Sequence, residues 1–155
     1  MNYEKTIKGF EKKHDFRKTK SLGDMIKYYG KDVKGREEIV YEVFIKVFSP
    51  INLGLTVVNS GKINGKFYMT SGHIHKNKTP EFYVLLEGEG ILMTKKRNDK
   101  KTKIIKMKKG KIELIGEGYA HRLVNNGSKK LKVLTIYHED SKPDYNVKFE
   151  TKIKK

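Results

Sequence analysis

Gly72-His73-Ile74-His75, then Glu81, then His121 far downstream, bring together residue types that bind divalent transition metals. Neutral imidazole nitrogens with one carboxylate oxygen suit Fe²⁺, Mn²⁺, Ni²⁺, Co²⁺ or Zn²⁺. Four protein ligands on a six-coordinate ion leave two positions open, enough for a bidentate substrate. His73 and His75 are spaced i, i+2, which puts both rings on one face of a β-strand; a helix would need i, i+3 or i, i+4. The neighbouring residues agree with strand. Lys66-Phe-Tyr-Met-Thr precedes the pair and Glu81-Phe-Tyr-Val-Leu-Leu follows it. Glu81 and Tyr83 repeat the i, i+2 relation, so both point to one face of the next strand.

The elements that must position these side chains are strands punctuated by glycine. Candidates are Ile39–Phe48, Gly54–Asn59, Gly65–His75, Glu81–Leu86, Gly90–Lys96, Thr102–Met107, Lys111–Ile115, His121–Asn125 and Leu131–Tyr137. Turn signals such as Asn64-Gly65, Gly88-Glu89-Gly90 and Asn126-Gly127 separate them, and Arg97-Asn98-Asp99-Lys100 reads as a hairpin tip. Short strands with turns every eight to twelve residues predict an all-β sandwich or barrel. Residues 1–36 read as a polar N-terminal extension with one short helix around Ser21–Tyr29, capped by Ser21, with Asp24 in its first turn and Gly30 at its end. Residues 37–145 read as the barrel, in a single domain overall. Residues 146–155 read as a tail, with Lys148–Lys155 an edge strand or a frayed end.

Composition narrows the function classes. The 155 residues hold no cysteine, which excludes disulfides and thiolate metal sites. Net charge is +17. Only Arg17, Arg36, Arg97 and Arg122 are arginine, and the lysines run from end to end rather than in one stripe. Arginine is the preferred reader of phosphate forks and base edges, so a solvated lysine surface is favoured over nucleic-acid binding. A positive field also attracts a small anionic substrate. The N-terminus has no apolar signal-peptide core, and no apolar run approaches the ~20 residues that span a bilayer. A cytoplasmic protein with no membrane association is expected.

The ligands lie in two blocks. The first is Gly72-His-Ile-His-x5-Glu81-x6-Gly88, the second Gly110-x5-Gly116-x-Gly118-x2-His121-x3-Asn125. These resemble the two motifs of the cupin superfamily, whose fold is a double-stranded β-helix or jelly-roll barrel. The resemblance implies that His73, His75, Glu81 and His121 ligate one metal inside the barrel. There are two departures. The histidine-to-glutamate gap is slightly long, and Gly116 stands where the second motif usually has proline. Glycine permits the same turn at some entropic cost.

The flanking sequence is more specific. Tyr41-Glu-Val-Phe, Gly54-Leu-Thr-Val-Val-Asn-Ser-Gly, Lys66 to His75, Glu81-Phe-Tyr-Val-Leu-Leu-Glu-Gly-Glu-Gly, Tyr119-Ala-His-Arg-Leu-Val-Asn, Ile136-Tyr137 and Asp144-Tyr145 resemble the archaeal-type, cupin glucose-6-phosphate isomerase family over roughly residues 36–145. That likeness implies one divalent metal per subunit, Fe²⁺ first among the candidates, and a homodimer packed through N-terminal strands. It implies a sugar phosphate held by Thr56, Thr70, Gly72 and Tyr137, with Tyr41 and Tyr83 lining the sugar pocket. Short hydroxyls and a bare glycine let phosphate approach closely. The implied reaction interconverts glucose 6-phosphate and fructose 6-phosphate. Glu81 acts either as the base of an enediol route or as a ligand during a hydride shift, and Tyr83 donates a hydrogen bond to a sugar oxygen. The family usually carries a histidine before Asp144-Tyr145; here it is Pro143, which donates nothing. Lys142 is the nearby candidate to supply the missing cation, with His138 also close in sequence. The runner-up readings are an isomerase or epimerase of another sugar phosphate, and a non-catalytic sugar-binding cupin.

Overall fold

The computed structural model describes residues 2–149. Helix α1 (Tyr3–Lys12) begins where the Asn2 side chain accepts a hydrogen bond from the Lys5 N–H at 3.1 Å. Strand β1 (Phe16–Ser21) and a one-turn helix α2 (Ile26–Tyr29) follow. Next come β2 (Ile39–Phe48), β3 (Ile51–Val58), β4 (Lys62–Ile63), β5 (Lys66–Phe67) and β6 (Ile74–His75). The chain continues with β7 (Glu81–Glu87), β8 (Ile91–Lys96), β9 (Lys103–Lys106) and β10 (Ile112–Ile115). It ends with β11 (Tyr119–Val124), β12 (Leu131–His138) and β13 (Pro143–Asp144).

Two sheets face each other. The larger has six strands in the order β1-β2-β3-β12-β7-β10, with all ladders antiparallel. The other face is built from β9-β8-β11, continued through bridges at Met69–Val124 and His73–His121 to the β6-β13 pair. The main core between them includes Leu22, Met25, Tyr68, Leu92, Leu123 and Val133, all buried. A second cluster lies on the outer side of the large sheet, where Ile7 and Phe10, one turn apart on α1, cover Phe44, Leu55, Val84 and Leu86. The jelly roll predicted from the sequence is the observed architecture.

The N-terminal segment departs from the prediction. It carries α1 as well as β1, which pairs with β2 and makes residues 16–21 part of the barrel sheet. The helix predicted over Ser21–Tyr29 is shorter, because Ser21 and Asp24 close a turn ahead of it: the Ser21 N–H donates to Asp24 Oδ2 at 2.9 Å and the Asp24 N–H to Ser21 Oγ at 3.3 Å. The strand predicted over Gly65–His75 is broken. Asn64 and Gly65, both at positive φ, close the β4–β5 hairpin, and Gly72 at φ +71° interrupts the ladder before β6. Of the predicted tail strand, residues 150–155 lie outside the described residues; Val147 and Phe149 are buried against the barrel.

Candidate metal centre and its cavity

Three of the four candidate ligands come from one sheet and the fourth from the other. His73 and His75 sit on the segment that runs along β11, and His121 sits on β11 itself. The His73–His121 backbone bridge locks their register, with N–H to O distances of 3.1 and 2.9 Å. Glu81 opens β7 and points inward from the large sheet. The four donor atoms all lie within 4.8 Å of one another. His73 Nε2 is 3.2 Å from both His75 Nε2 and His121 Nε2. Glu81 Oε2 is 3.0 Å from His121 Nε2 and 3.3 Å from His75 Nε2. Metal–nitrogen bonds of about 2.1 Å give neighbouring ligands about 3.0 Å apart on an octahedron and about 3.4 Å apart on a tetrahedron. The observed edges fall within that interval.

The protonation pattern fits a cation as well. His75 Nδ1 meets the Thr79 carbonyl at 2.7 Å, and His121 Nδ1 meets the Tyr119 carbonyl at 3.2 Å. A carbonyl only accepts, so hydrogen bonding assigns the proton to Nδ1 in both rings and leaves the Nε2 lone pairs facing the centre. Glu81 Oε2 is buried with imidazole nitrogens beside it but no aligned N–H. Burial opposes ionisation of Glu81, yet the adjoining His121 and His75 outweigh it and hold its pKa at about 2. Burial, reinforced by His121, drives His73 down to about 3. Burial also lowers His75, but Glu81 and the Thr79 carbonyl outweigh it and raise that ring. A carboxylate kept charged beside a neutral imidazole, with lone pairs converging, is the donor set a divalent ion requires.

The cluster opens into a cavity of about 140 Å³. Tyr41, Thr56, Thr70, Gly72, Tyr83 and Tyr137 all line it, as do the four ligand residues. Thr70 Oγ1 accepts the Leu123 N–H at 3.1 Å, which leaves its own proton free to donate. Burial raises the pKa of Tyr83 far above the ordinary phenol value and that of Tyr137 to about 12, so both remain donors at neutral pH. Lys142 is a correction. Its side chain is exposed and lines no part of this cavity; only its carbonyl engages nearby, accepting the Lys76 N–H at 2.8 Å. Pro143 does line the cavity, paired with His75 across β6–β13. His138 lies by Asp140, away from the cluster.

Several wall residues escaped the sequence reading. Ser71 bonds the Tyr41 hydroxyl at 2.9 Å, and the Thr135 hydroxyl donates to the Gly54 carbonyl at 3.2 Å. Tyr145 packs its ring 5.6 Å from that of His73. Lys18 and Lys20 enter the wall from β1. Nothing in their local sequence sets them apart from the 33 other lysines and arginines; only strand register puts them here. Behind the ligand segment, buried Arg122 donates from Nη2 to the Ser71 carbonyl at 2.8 Å and lies between the Tyr28 and Phe149 rings. A Cβ on Gly72 would come within 2.9 Å of both Arg122 Nε and Phe149 Cε2. Together with its positive φ, that close approach explains the glycine.

A three-histidine, one-carboxylate cluster between the sheets of a jelly roll defines a cupin. Solved structures of similar fold include an oxalate decarboxylase–formate complex from Lactobacillus farciminis (19% identity, TM-score 0.53, 65% of this chain and 29% of that one). Another is FeII HppE (18% identity, TM-score 0.52, 79% and 57%). Residues 15–152 match the family "Glucose-6-phosphate isomerase (GPI)", and the chain belongs to that family. Its relatives include proteins named glucose-6-phosphate isomerase. That of Thermococcus litoralis is 31% identical over 135 residues, covering 80% of this chain and 70% of the relative. That of Pyrococcus abyssi is 32% identical over 118 residues, covering 73% and 62%. The chain thus spans roughly three-fifths to seven-tenths of these relatives' length.

Proposed function

We propose that this protein is a metal-dependent isomerase interconverting glucose 6-phosphate and fructose 6-phosphate. The observation that carries the reading is the convergence of four donor atoms at 3.0–3.3 Å on the wall of a cavity sized for a small molecule. Family membership supplies the substrate class. His73, His75, Glu81 and His121 would hold one divalent ion, with Fe²⁺ favoured and Mn²⁺, Ni²⁺, Co²⁺ or Zn²⁺ able to replace it. When bound, that ion supplies Lewis-acid stabilisation of negative charge on the reacting sugar oxygens. Tyr83, with its ring against His121, donates a hydrogen bond to a sugar oxygen. Thr56, Thr70, Gly72 and Tyr137 bind the phosphate, and Tyr41 packs beside the sugar.

Glu81 separates two routes for the hydrogen between C1 and C2. As a base it exchanges that hydrogen with solvent; as a ligand alone it leaves the hydrogen on the sugar. Turnover in deuterium oxide distinguishes them: label at C2 of glucose 6-phosphate assigns the proton to Glu81, and complete retention of protium removes that role.

The test of the reading is a coupled assay on fructose 6-phosphate with chelated and metal-reloaded protein. Activity lost on chelation and restored by Fe²⁺, Mn²⁺ or Ni²⁺ supports it. Tight metal binding with no turnover of any hexose phosphate sinks it. No helix of the described residues is long and apolar enough to cross a membrane, and a sugar-phosphate substrate fits the cytoplasm. A homodimer accords with the exposed apolar side chains Phe82, Ile112 and Leu114 on the large sheet; light scattering checks it.

A further inference from the structure

Strand β1 presents charge to the cavity in a way the function above does not use. In an antiparallel ladder, directly paired residues share a face. Lys18 pairs with Val43, which pairs with Thr56, and Lys20 pairs with Tyr41. Val43, Thr56 and Tyr41 line the cavity, and Lys18 and Lys20 line it with them. The alternate residues face the other way. Arg17 is ion-paired there with Glu42, and the Thr19 hydroxyl reaches the same carboxylate. Among the described residues, neither Lys18 nor Lys20 has a carboxylate partner.

The spacing suits one dianion. Residues i and i+2 on a strand lie about 7 Å apart, and two flexible stems can bring their ammonium groups onto a single group between them. Thr56 is two strands from Lys18, about 10 Å between Cα atoms, and the four-carbon stem covers most of that gap. Thr70, with a free hydroxyl proton, lines the same cavity. Pro143 offers this cavity no donor. Lysine binds phosphate as a point charge and needs no fixed fork, so exposed ends on an edge strand suffice.

We infer that Lys18 and Lys20 form a cationic clamp for the phosphate dianion of the substrate, supplied by the N-terminal edge strand. The clamp rests on the sugar-phosphate reading and adds to it the residues that select a phosphorylated over an unphosphorylated sugar.

Calorimetric titration of the metal-loaded protein with fructose 6-phosphate, and separately with inorganic phosphate, tests it on Lys18→Met, Lys20→Met and the double variant. Each single substitution is expected to weaken both probes ~10-fold and the double ~100-fold. Lys18→Arg and Lys20→Arg should recover most of the loss. The exposed helix lysine substitution Lys8→Met should have no effect. In the isomerase assay the double variant should raise KM for fructose 6-phosphate far more than it lowers kcat. Unchanged affinity for both probes in the double variant overturns the clamp and leaves the isomerase reading standing. Lysine-dependent binding without turnover overturns the isomerase reading and keeps the clamp. If the unsubstituted protein binds neither probe, the clamp is wrong.

Discussion

The metal cluster and the β1 lysines border one cavity but are built on opposite plans. His75, Glu81 and His121 are buried; the two rings are hydrogen-bonded to the Thr79 and Tyr119 carbonyls, and a backbone bridge fixes His121 against His73. Lys18 and Lys20 are exposed, long and unpartnered among the described residues. A metal ion discriminates by bond length and angle, so its ligands must be held to a fraction of an ångström. A phosphate dianion discriminates mainly by charge, which tolerates looser placement. On the proposed function, one end of the site must hold its donors in fixed geometry for a metal ion, and the other needs mainly positive potential for a phosphate.

If that contrast is right, damage to the two ends should have different size and character. The largest effect belongs to His121→Ala. It should lower isomerase activity by about 10³-fold or more and abolish stoichiometric metal in elemental analysis, whereas Lys18→Met should keep its metal. Retained metal in His121→Ala would erase the distinction. Gly72→Ala comes next. Adding a Cβ at φ +71°, 2.9 Å from Arg122 and Phe149, combines left-handed strain with overpacking and should cost roughly 2–4 kcal/mol in urea unfolding.

The pH response of the metal-free protein is smaller in scale. His73 has a folded pKa of about 3, below its ordinary 6.5. The unfolded chain therefore binds a proton that the folded chain refuses between those values, so the His73 contribution to stability falls as pH drops from 6.5 toward 3, opposed by His75, whose raised pKa adds stability as pH falls. Melting of chelated protein from pH 7 to pH 5 should trace that decline, and His73→Gln should flatten it. Metal-saturated protein should resist it, since the ion excludes the proton. The smallest effect is expected from Tyr83→Phe, which removes one donor without disturbing the packing against His121. A loss of about 10-fold in kcat/KM with metal content intact would fit a hydrogen bond to the sugar; no loss would confine Tyr83 to packing.

The metal end was far more legible in the sequence than the lysine end. His73, His75, Glu81 and Tyr83 announce themselves by i, i+2 spacing on strands whose apolar neighbours give away their faces. Strand Ile39–Phe48 is legible to the residue because it is long and rich in β-branched and aromatic residues. Strand β1 was invisible. Phe16-Arg-Lys-Thr-Lys-Ser has no buried face and therefore no hydrophobic period, as suits an edge strand protected by charge. Lys142 adjoins Pro143 in sequence but lies outside the cavity, because the residue beside an inward-facing position points outward.

The amino-acid sequence alone therefore determined the barrel and the family, and singled out the four residues that the structure brings together. All three are encoded in residue types at short fixed spacings, where backbone geometry leaves one reading. Only the tertiary structure decided which of many lysines meets the cavity, why Gly72 must be glycine, and that residues 16–21 belong to the barrel sheet. Those facts depend on register between strands more than twenty residues apart, and register is set by packing across the whole molecule.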